Sequence, residues 1–100
     1  MVAFNIEVAE LAIAEIKRLR ATVRTKIVDE IEEQLSHEPT RETRRRKLLA
    51  GLEPPWENVR PVWQLRVGDW RVFYDVDEAG KRVTVQAVRK KESRLTEEIL

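Results

Sequence analysis

Apolar positions change their spacing twice along this chain, and the changes mark its elements. Phe4, Ile6 and Val8 alternate with Asn5 and Glu7, the two-residue period of a short edge strand. Val8, Leu11, Ala12, Ile16 and Leu19 then fall on one helical stripe, with Glu15, Lys17 and Arg18 off it. Val23, Ile27, Ile31 and Leu35 recur every four residues, which predicts a second amphipathic helix about three residues after the first. Thr22 is the expected N-cap of that helix, and Pro39 should end it near His37. Thr40 to Gly51 reads as a short basic helix or an irregular arm, and Pro54-Pro55 opens a loop that runs to about Arg60.

From Val62 the pattern is β. Val62–Val67 and Trp70–Val76 flank Gly68-Asp69, a glycine-first two-residue loop of the II′ hairpin kind. Asp77-Glu78-Ala79-Gly80 forms a second turn before a third strand, Arg82–Val88. The order β-α-α-arm-β-β-β predicts a single α+β domain over residues 1–100, an N-terminal edge strand and a two-helix hairpin packed on a small antiparallel sheet. A two-residue loop fixes register, so Val67 should face Trp70, Arg66 face Arg71, Leu65 face Val72, Gln64 face Phe73 and Trp63 face Tyr74. Alternation sends Trp63, Leu65, Val67, Trp70, Val72, Tyr74, Val76, Val83, Val85 and Ala87 to the helices. It leaves Gln64, Arg66, Arg71, Phe73, Arg82, Thr84 and Gln86 on the other face.

Composition adds limits. With no cysteine, disulfides and thiol-based zinc sites are excluded. No apolar run approaches the ~20 residues of a membrane span, and Asn5, Glu7 and Glu10 interrupt any signal-peptide core, so a cytoplasmic protein without membrane contact is expected. The net charge of +1 is unevenly spread. Residues 1–40 carry five basic and eight acidic side chains, and residues 41–100 carry fourteen and ten, so a polyanion belongs at the C-terminal part.

The pair Arg66–Arg71 is the most informative feature. Like charges facing each other across two strands cost about 0.2–1 kcal/mol, and a bound anion would relieve that cost. A guanidinium fork suits phosphate oxygens. Arg89, Lys90 and Lys91 follow where they could close such a site, and Arg44, Arg45, Arg46 and Lys47 form the densest basic run, either a nucleic-acid contact or a solvated face. A fully solvated sheet face, with Asp75 neutralising the arginines, is the alternative for Arg66 and Arg71. His37, the single histidine, suits a helix C-terminus better than catalysis. Trp56, in the Pro-rich loop, is more open to contact than Trp63 or Trp70. Asp75, Asp77 and Glu78 lack metal-ligand spacing.

The stretch WQLRVGDWRVFYDVD, Trp63 to Asp77, closely resembles the central hairpin of RelE/ParE superfamily toxins of type II toxin–antitoxin systems. VTVQAVRKKE, Val83 to Glu92, is similar to their last strand, and HEPTRETRRRKL, His37 to Leu48, is similar to one branch. The resemblance implies two helices on a small antiparallel sheet, and a cognate antitoxin whose flexible segment wraps the toxin. DNA would be met only through that toxin–antitoxin complex. It implies one of two targets: messenger RNA cut in the ribosomal decoding site for RelE-type members, DNA gyrase for ParE-type members. RelE-type cleavage needs no metal or other cofactor. The RNA's 2′-hydroxyl attacks the adjacent phosphate while basic side chains stabilise the developing charge.

Carried over, Arg71 matches the arginine at the scissile phosphate. Arg66 stands where that branch has a lysine acting as base, Gln64 where it has another basic residue, and Lys91 where it has an arginine. Alternation instead puts Lys90 on the Arg71 face, a conflict a β-bulge would resolve. The family's C-terminal tyrosine is absent from Ser93-Arg94-Leu95-Thr96. The expected site is therefore Arg66, Arg71 and Lys91 for phosphate chemistry, with Arg44, Arg45, Arg46, Lys47, Gln64, Arg89 and Lys90 as further RNA contacts. The expected function is a ribosome-dependent endoribonuclease. The alternatives are a non-enzymatic gyrase binder, or a weakened toxin acting mainly in an autorepressor complex.

Overall fold

The computed structural model describes residues 3–49, 54–55 and 61–91. The elements run β1 (Asn5–Val8), α1 (Glu10–Lys17), α2 (Ala21–Leu35), β2 (Arg46–Leu49), β3 (Val62–Val67), β4 (Trp70–Asp77) and β5 (Arg82–Lys90). They make one five-stranded sheet in the order β1-β5-β4-β3-β2. β2 to β5 are antiparallel neighbours, and β1 lies parallel to β5 at the far edge. The sheet is therefore mixed, because the chain returns to β1 only after both helices and the remaining strands have been laid down.

Two of the sequence expectations change. The basic stretch after Thr40 is neither helix nor irregular arm throughout: Arg46–Leu49 is a fourth antiparallel strand, pairing Leu48 with Trp63 and Leu49 with Val62. Leu48 against the helix-side core, Leu49 in a second cluster on the opposite face, and the backbone bonds to β3 outweigh the charge run before it. Thr22 does not cap α2. The helix begins at Ala21 behind an extended Arg20, whose side chain makes no cap bond, so Thr22 lies inside the first turn.

Ile27, Ile31 and Leu35 of α2 and Ala12 of α1 pack on Trp63, Leu65, Val67, Val72, Tyr74, Val83, Val85 and Val88. The α2 spacing reads this correctly. On α1, Leu11 stays on the surface although it belongs to the stripe, because the helix is only two turns long and Ala12 holds the buried position. Tyr74 is fully buried, stacks on Trp63 at 6.3 Å between ring centroids, and donates its hydroxyl to the Pro39 carbonyl at 2.6 Å. That bond satisfies a phenol in the interior and ties the segment after α2 to the sheet.

The face away from the helices is not simply solvated. Leu49, Val62, Phe73 and Ala87 form a second buried cluster there, and Gln64 and Asp75 are buried beside it. This cluster separates the basic residues near the β3–β4 turn from the exposed Arg82–Glu7 pair at the opposite end of the same face.

Candidate anion-binding face

The β3–β4 turn sets the geometry. Gly68 takes φ +58°, while among the described non-glycine residues only Lys81 has positive φ. A left-handed first residue followed by an ordinary second one is the II′ pattern, and it matches the right-handed twist of the flanking strands. The predicted register follows in full: Val67↔Trp70, Arg66↔Arg71, Leu65↔Val72, Gln64↔Phe73 and Trp63↔Tyr74.

On the other flank the register slips. Phe73 faces Ala87 but Tyr74 faces Val85, so Gln86 is the extra residue of a β-bulge. Its carboxamide donates to Asp75 Oδ2 at 2.8 Å. Beyond the bulge the alternation of β5 inverts. Ala87, expected in the core beneath the helices, joins Phe73 on the opposite face, and Val88 takes the core position. Arg89 comes opposite Arg71, and Lys90 comes opposite Trp70. The conflict between Lys90 and Lys91 is settled against Lys90: by alternation Arg89 and then Lys91 share the face of Arg71.

Arg66, Arg71 and Arg89 therefore stand side by side in one rank across three strands. Arg45 extends it, since the Arg66 amide donates to the Arg45 carbonyl at 2.7 Å. The members differ in how they are held. Arg66 is exposed, and its guanidinium makes no hydrogen bond or ion pair among the described residues. Arg71 is half-buried and bends back over the turn, with one terminal nitrogen donating to the Gly68 and Trp70 carbonyls at 2.8 Å each. Its Nε is buried and has no partner among the described residues. Burial, reinforced by the positive charge of Arg66, pulls the Arg71 pKa below its ordinary value, and Asp69 opposes this. Arg89 pairs with Glu15 of α1, whose carboxylate also accepts the Val88 amide at 2.9 Å, and burial pulls its pKa down too. Arg89 thus anchors α1 to the last strand as well as standing in the rank.

The remaining expected residues divide. Lys91 donates its amide to the Asp69 carbonyl at 2.8 Å, which holds the end of β5 against the turn. Lys47 is exposed and faces Gln64, itself buried and so removed from direct contact with a strand of RNA. Arg44 and Arg45 are exposed, and Arg45 pairs with Glu30 of α2 at 3.1 Å. Arg46 leaves the RNA-contact group. It is buried on the helix side opposite Leu65, donating Nε to the Arg41 carbonyl at 3.0 Å and a terminal nitrogen to the Gln34 carbonyl. Gln34 is in the last turn of α2, where unsatisfied carbonyls and the negative dipole end favour a cation. His37 is exposed just past the C-cap Ser36. Ser93 to Thr96 and Trp56 lie outside the described residues.

Sequence reasoning missed Lys26. It stands on the polar side of α2 and, with Arg44, Arg45 and Arg66, lines a cavity of about 370 Å³ beside the turn. Nothing in its local sequence distinguishes it from any solvated helix lysine.

Chemically, the rank can hold an anion and stabilise added negative charge. A guanidinium is a poor proton acceptor, so neither Arg66 nor Arg71 replaces a general base. No helix among the described residues is long and apolar enough to cross a membrane.

Comparisons with known proteins agree with this architecture. A chain of the RelBE2 toxin–antitoxin complex from Mycobacterium tuberculosis superposes with a TM-score of 0.70 at 21% identity, over 90% of this chain and 93% of that one. The archaeal RelE–RelB complex from Pyrococcus horikoshii OT3 gives 0.70 at 16% identity, over 90% and 97%. The isolated E. coli RelE toxin gives 0.66 at 23% identity, over 88% and 84%. A search of curated protein sequences finds no significant match. The family model described as the ParE toxin of the type II toxin–antitoxin system parDE matches residues 6–95. With nearly the whole chain inside that match, and with a RelE-like fold, the protein belongs to the ParE toxin family of type II toxin–antitoxin systems.

Proposed function

We propose that this toxin acts on RNA as a metal-free, ribosome-dependent endoribonuclease that stops translation in the cytoplasm. The observation that carries the reading is the rank itself: Arg66 and Arg71 face each other across adjacent strands, neither is ion-paired to a carboxylate among the described residues, and Arg71 Nε is buried without an acceptor. A phosphate bound at the exposed Arg66 guanidinium would remove the repulsion, and Arg71 would offer its Nε to the same oxygens by swinging off the turn. In the reaction, the 2′-hydroxyl oxygen of one nucleotide attacks its 3′-phosphorus. The hydroxyl proton passes to solvent water as a 2′,3′-cyclic phosphate forms, the P–O5′ bond breaks, and the departing 5′-oxygen takes a proton from water. Arg66 and Arg71 hold the charge gathering on the non-bridging oxygens, and Lys91, beside the turn, assists. The test is translation of a reporter in a cell-free extract, with primer extension on the message. Wild type should stop synthesis and cut within codons, and Arg71→Ala should do neither. Intact message alongside unimpeded synthesis with the wild type would sink the reading.

A second reading has its own support. The matching family model is that of ParE rather than RelE, and an arginine occupies position 66, where RelE-type toxins carry a lysine base. On this reading the basic face binds a protein, DNA gyrase. A supercoiling assay separates the two, since only a gyrase inhibitor would block supercoiling of relaxed plasmid. Under either reading the partner is a cognate antitoxin covering the arginine rank. Support comes from the similar structures described as toxin–antitoxin complexes, from M. tuberculosis and P. horikoshii.

A further inference from the structure

Two cavities flank the β3–β4 turn, and they differ in chemistry. The first, of about 370 Å³, is lined by Lys26, Arg44, Arg45 and Arg66 with Glu30 as its one acid. Glu30 is already paired with Arg45. Lys26, Arg44 and Arg66 have no such counterpart among the described residues, so three cationic residues without a paired acid border one concavity. The second, of about 380 Å³, is lined by Val23, Ile27 and the half-buried Trp70, with Asp69 at its rim. Lys26, Val67 and Gly68 border both.

Gly68 is the shared ledge. A Cβ built there meets nothing within 4 Å, so the ledge opens to solvent. Arg71 pins it from the other side through the Gly68 carbonyl. The groove so formed runs from a cationic end, past a ledge without a side chain, to an apolar and aromatic end. Each compartment lies near the lower limit of ligand-binding pockets, roughly 300 Å³.

Building on the RNA reading above, we infer that the groove between α2 and the β3–β4 turn seats one nucleotide of single-stranded RNA. Its phosphate lies among Lys26, Arg44 and Arg66, and its base lies against Trp70. Charge sets the polarity. Asp69 repels a phosphate from the Trp70 end, and the three cations attract it to the other. Aromatic stacking accepts any base, so the seat holds the strand without reading its sequence. Arg66 belongs to both the rank and the groove, so a strand crossing the rank at Arg71 continues into the groove by way of Arg66. The groove is then a neighbouring subsite that orients the scissile phosphate.

The experiment is a nuclear magnetic resonance titration of the ¹⁵N-labelled full chain with a short 5′-phosphorylated uridine oligonucleotide. The amides of Lys26, Arg44 and Gly68 and the Trp70 indole N–H should shift together. Lys26→Glu should weaken binding about tenfold, the size of a lost charge-assisted phosphate contact. Lys26→Gln should lower the salt slope of binding by about one. Both changes are at an exposed helix position, and Lys17→Glu, at another exposed helix position, should leave affinity unchanged. Shifts confined to the face of Phe73 and Arg89, with Lys26→Glu binding as wild type, would overturn the groove while leaving the RNA reading intact. No shift at any site would overturn the groove, while the RNA reading stands or falls on the translation assay above.

Discussion

Replacing Arg66 with glutamine should stabilise this protein while weakening its hold on RNA. Arg66 faces Arg71 directly across the hairpin, and Arg71 faces Arg89 in turn. The Arg66 guanidinium makes no compensating bond among the described residues, so its removal sacrifices no folded-state contact there. A facing like-charge pair costs about 0.2–1 kcal/mol. Arg45, on the other flank, is largely offset by Glu30 and adds little. The expected gain is therefore about 0.5 kcal/mol, or roughly 2–4 °C in Tm for a domain of this size.

The gain should depend on salt. The ionic screening length shortens from about 10 Å at 0.1 M to about 3 Å at 1 M, so the difference between Arg66→Gln and wild type should shrink as salt rises. Urea unfolding at low and high salt measures it, and oligonucleotide affinity at the same salts gives the opposing loss of function. Arg71→Gln is the internal contrast. It relieves repulsion on two sides but forfeits the bonds to the Gly68 and Trp70 carbonyls, so it should be neutral or destabilising. If Arg66→Gln lowers stability at low salt, or raises it equally at all salts, repulsion along the rank is not what holds the site ready for an anion.

Arg46→Met should cost about 2 kcal/mol by urea unfolding, because the Gln34 and Arg41 carbonyls lose their donor, while RNA affinity stays within about twofold. Gly68→Ala should cost about 1–2 kcal/mol; with φ at +58° and open space around the new methyl, the loss is one of backbone conformation and should appear as a lower Tm with unchanged native spectra. Burial raises the Tyr74 phenol above its ordinary value near 10, so the folded chain holds that proton more tightly than the unfolded chain. The contribution is therefore constant below about pH 10 and declines above it; Tyr74→Phe should flatten part of the alkaline fall in urea midpoint, and wild-type phenolate absorbance should appear only with unfolding.

What the sequence revealed of the site, and what it hid, follows from how each position is encoded. Gly68-Asp69 is a local signal, and a two-residue turn leaves one register, so the pairing of Arg66 with Arg71 could be read directly. The four-residue spacing of Ile27, Ile31 and Leu35 was legible for the same reason. The strand Arg46–Leu49 was hidden because only two of its four residues are apolar, and one of its two charges, Arg46, is buried by bonds to the Arg41 and Gln34 carbonyls that the sequence does not announce.

The bulge was half-legible. Val83, Val85 and Ala87 keep one parity, and Val88 breaks it, yet alternation alone cannot say which of two adjacent apolar residues turns toward the helices. The partners decide. Phe73 on the far face needs a small neighbour and takes Ala87, while the helix-side core takes the larger Val88. Once that choice is made, the chain has no freedom left in its last turns: Arg89 must stand beside Arg71 and Lys90 must not. The guanidinium rank is thus a consequence of apolar packing two rungs away. Its charges repel one another, so nothing within the rank could have assembled it, and the energy that holds it in place comes from the two hydrophobic clusters on either side of the sheet.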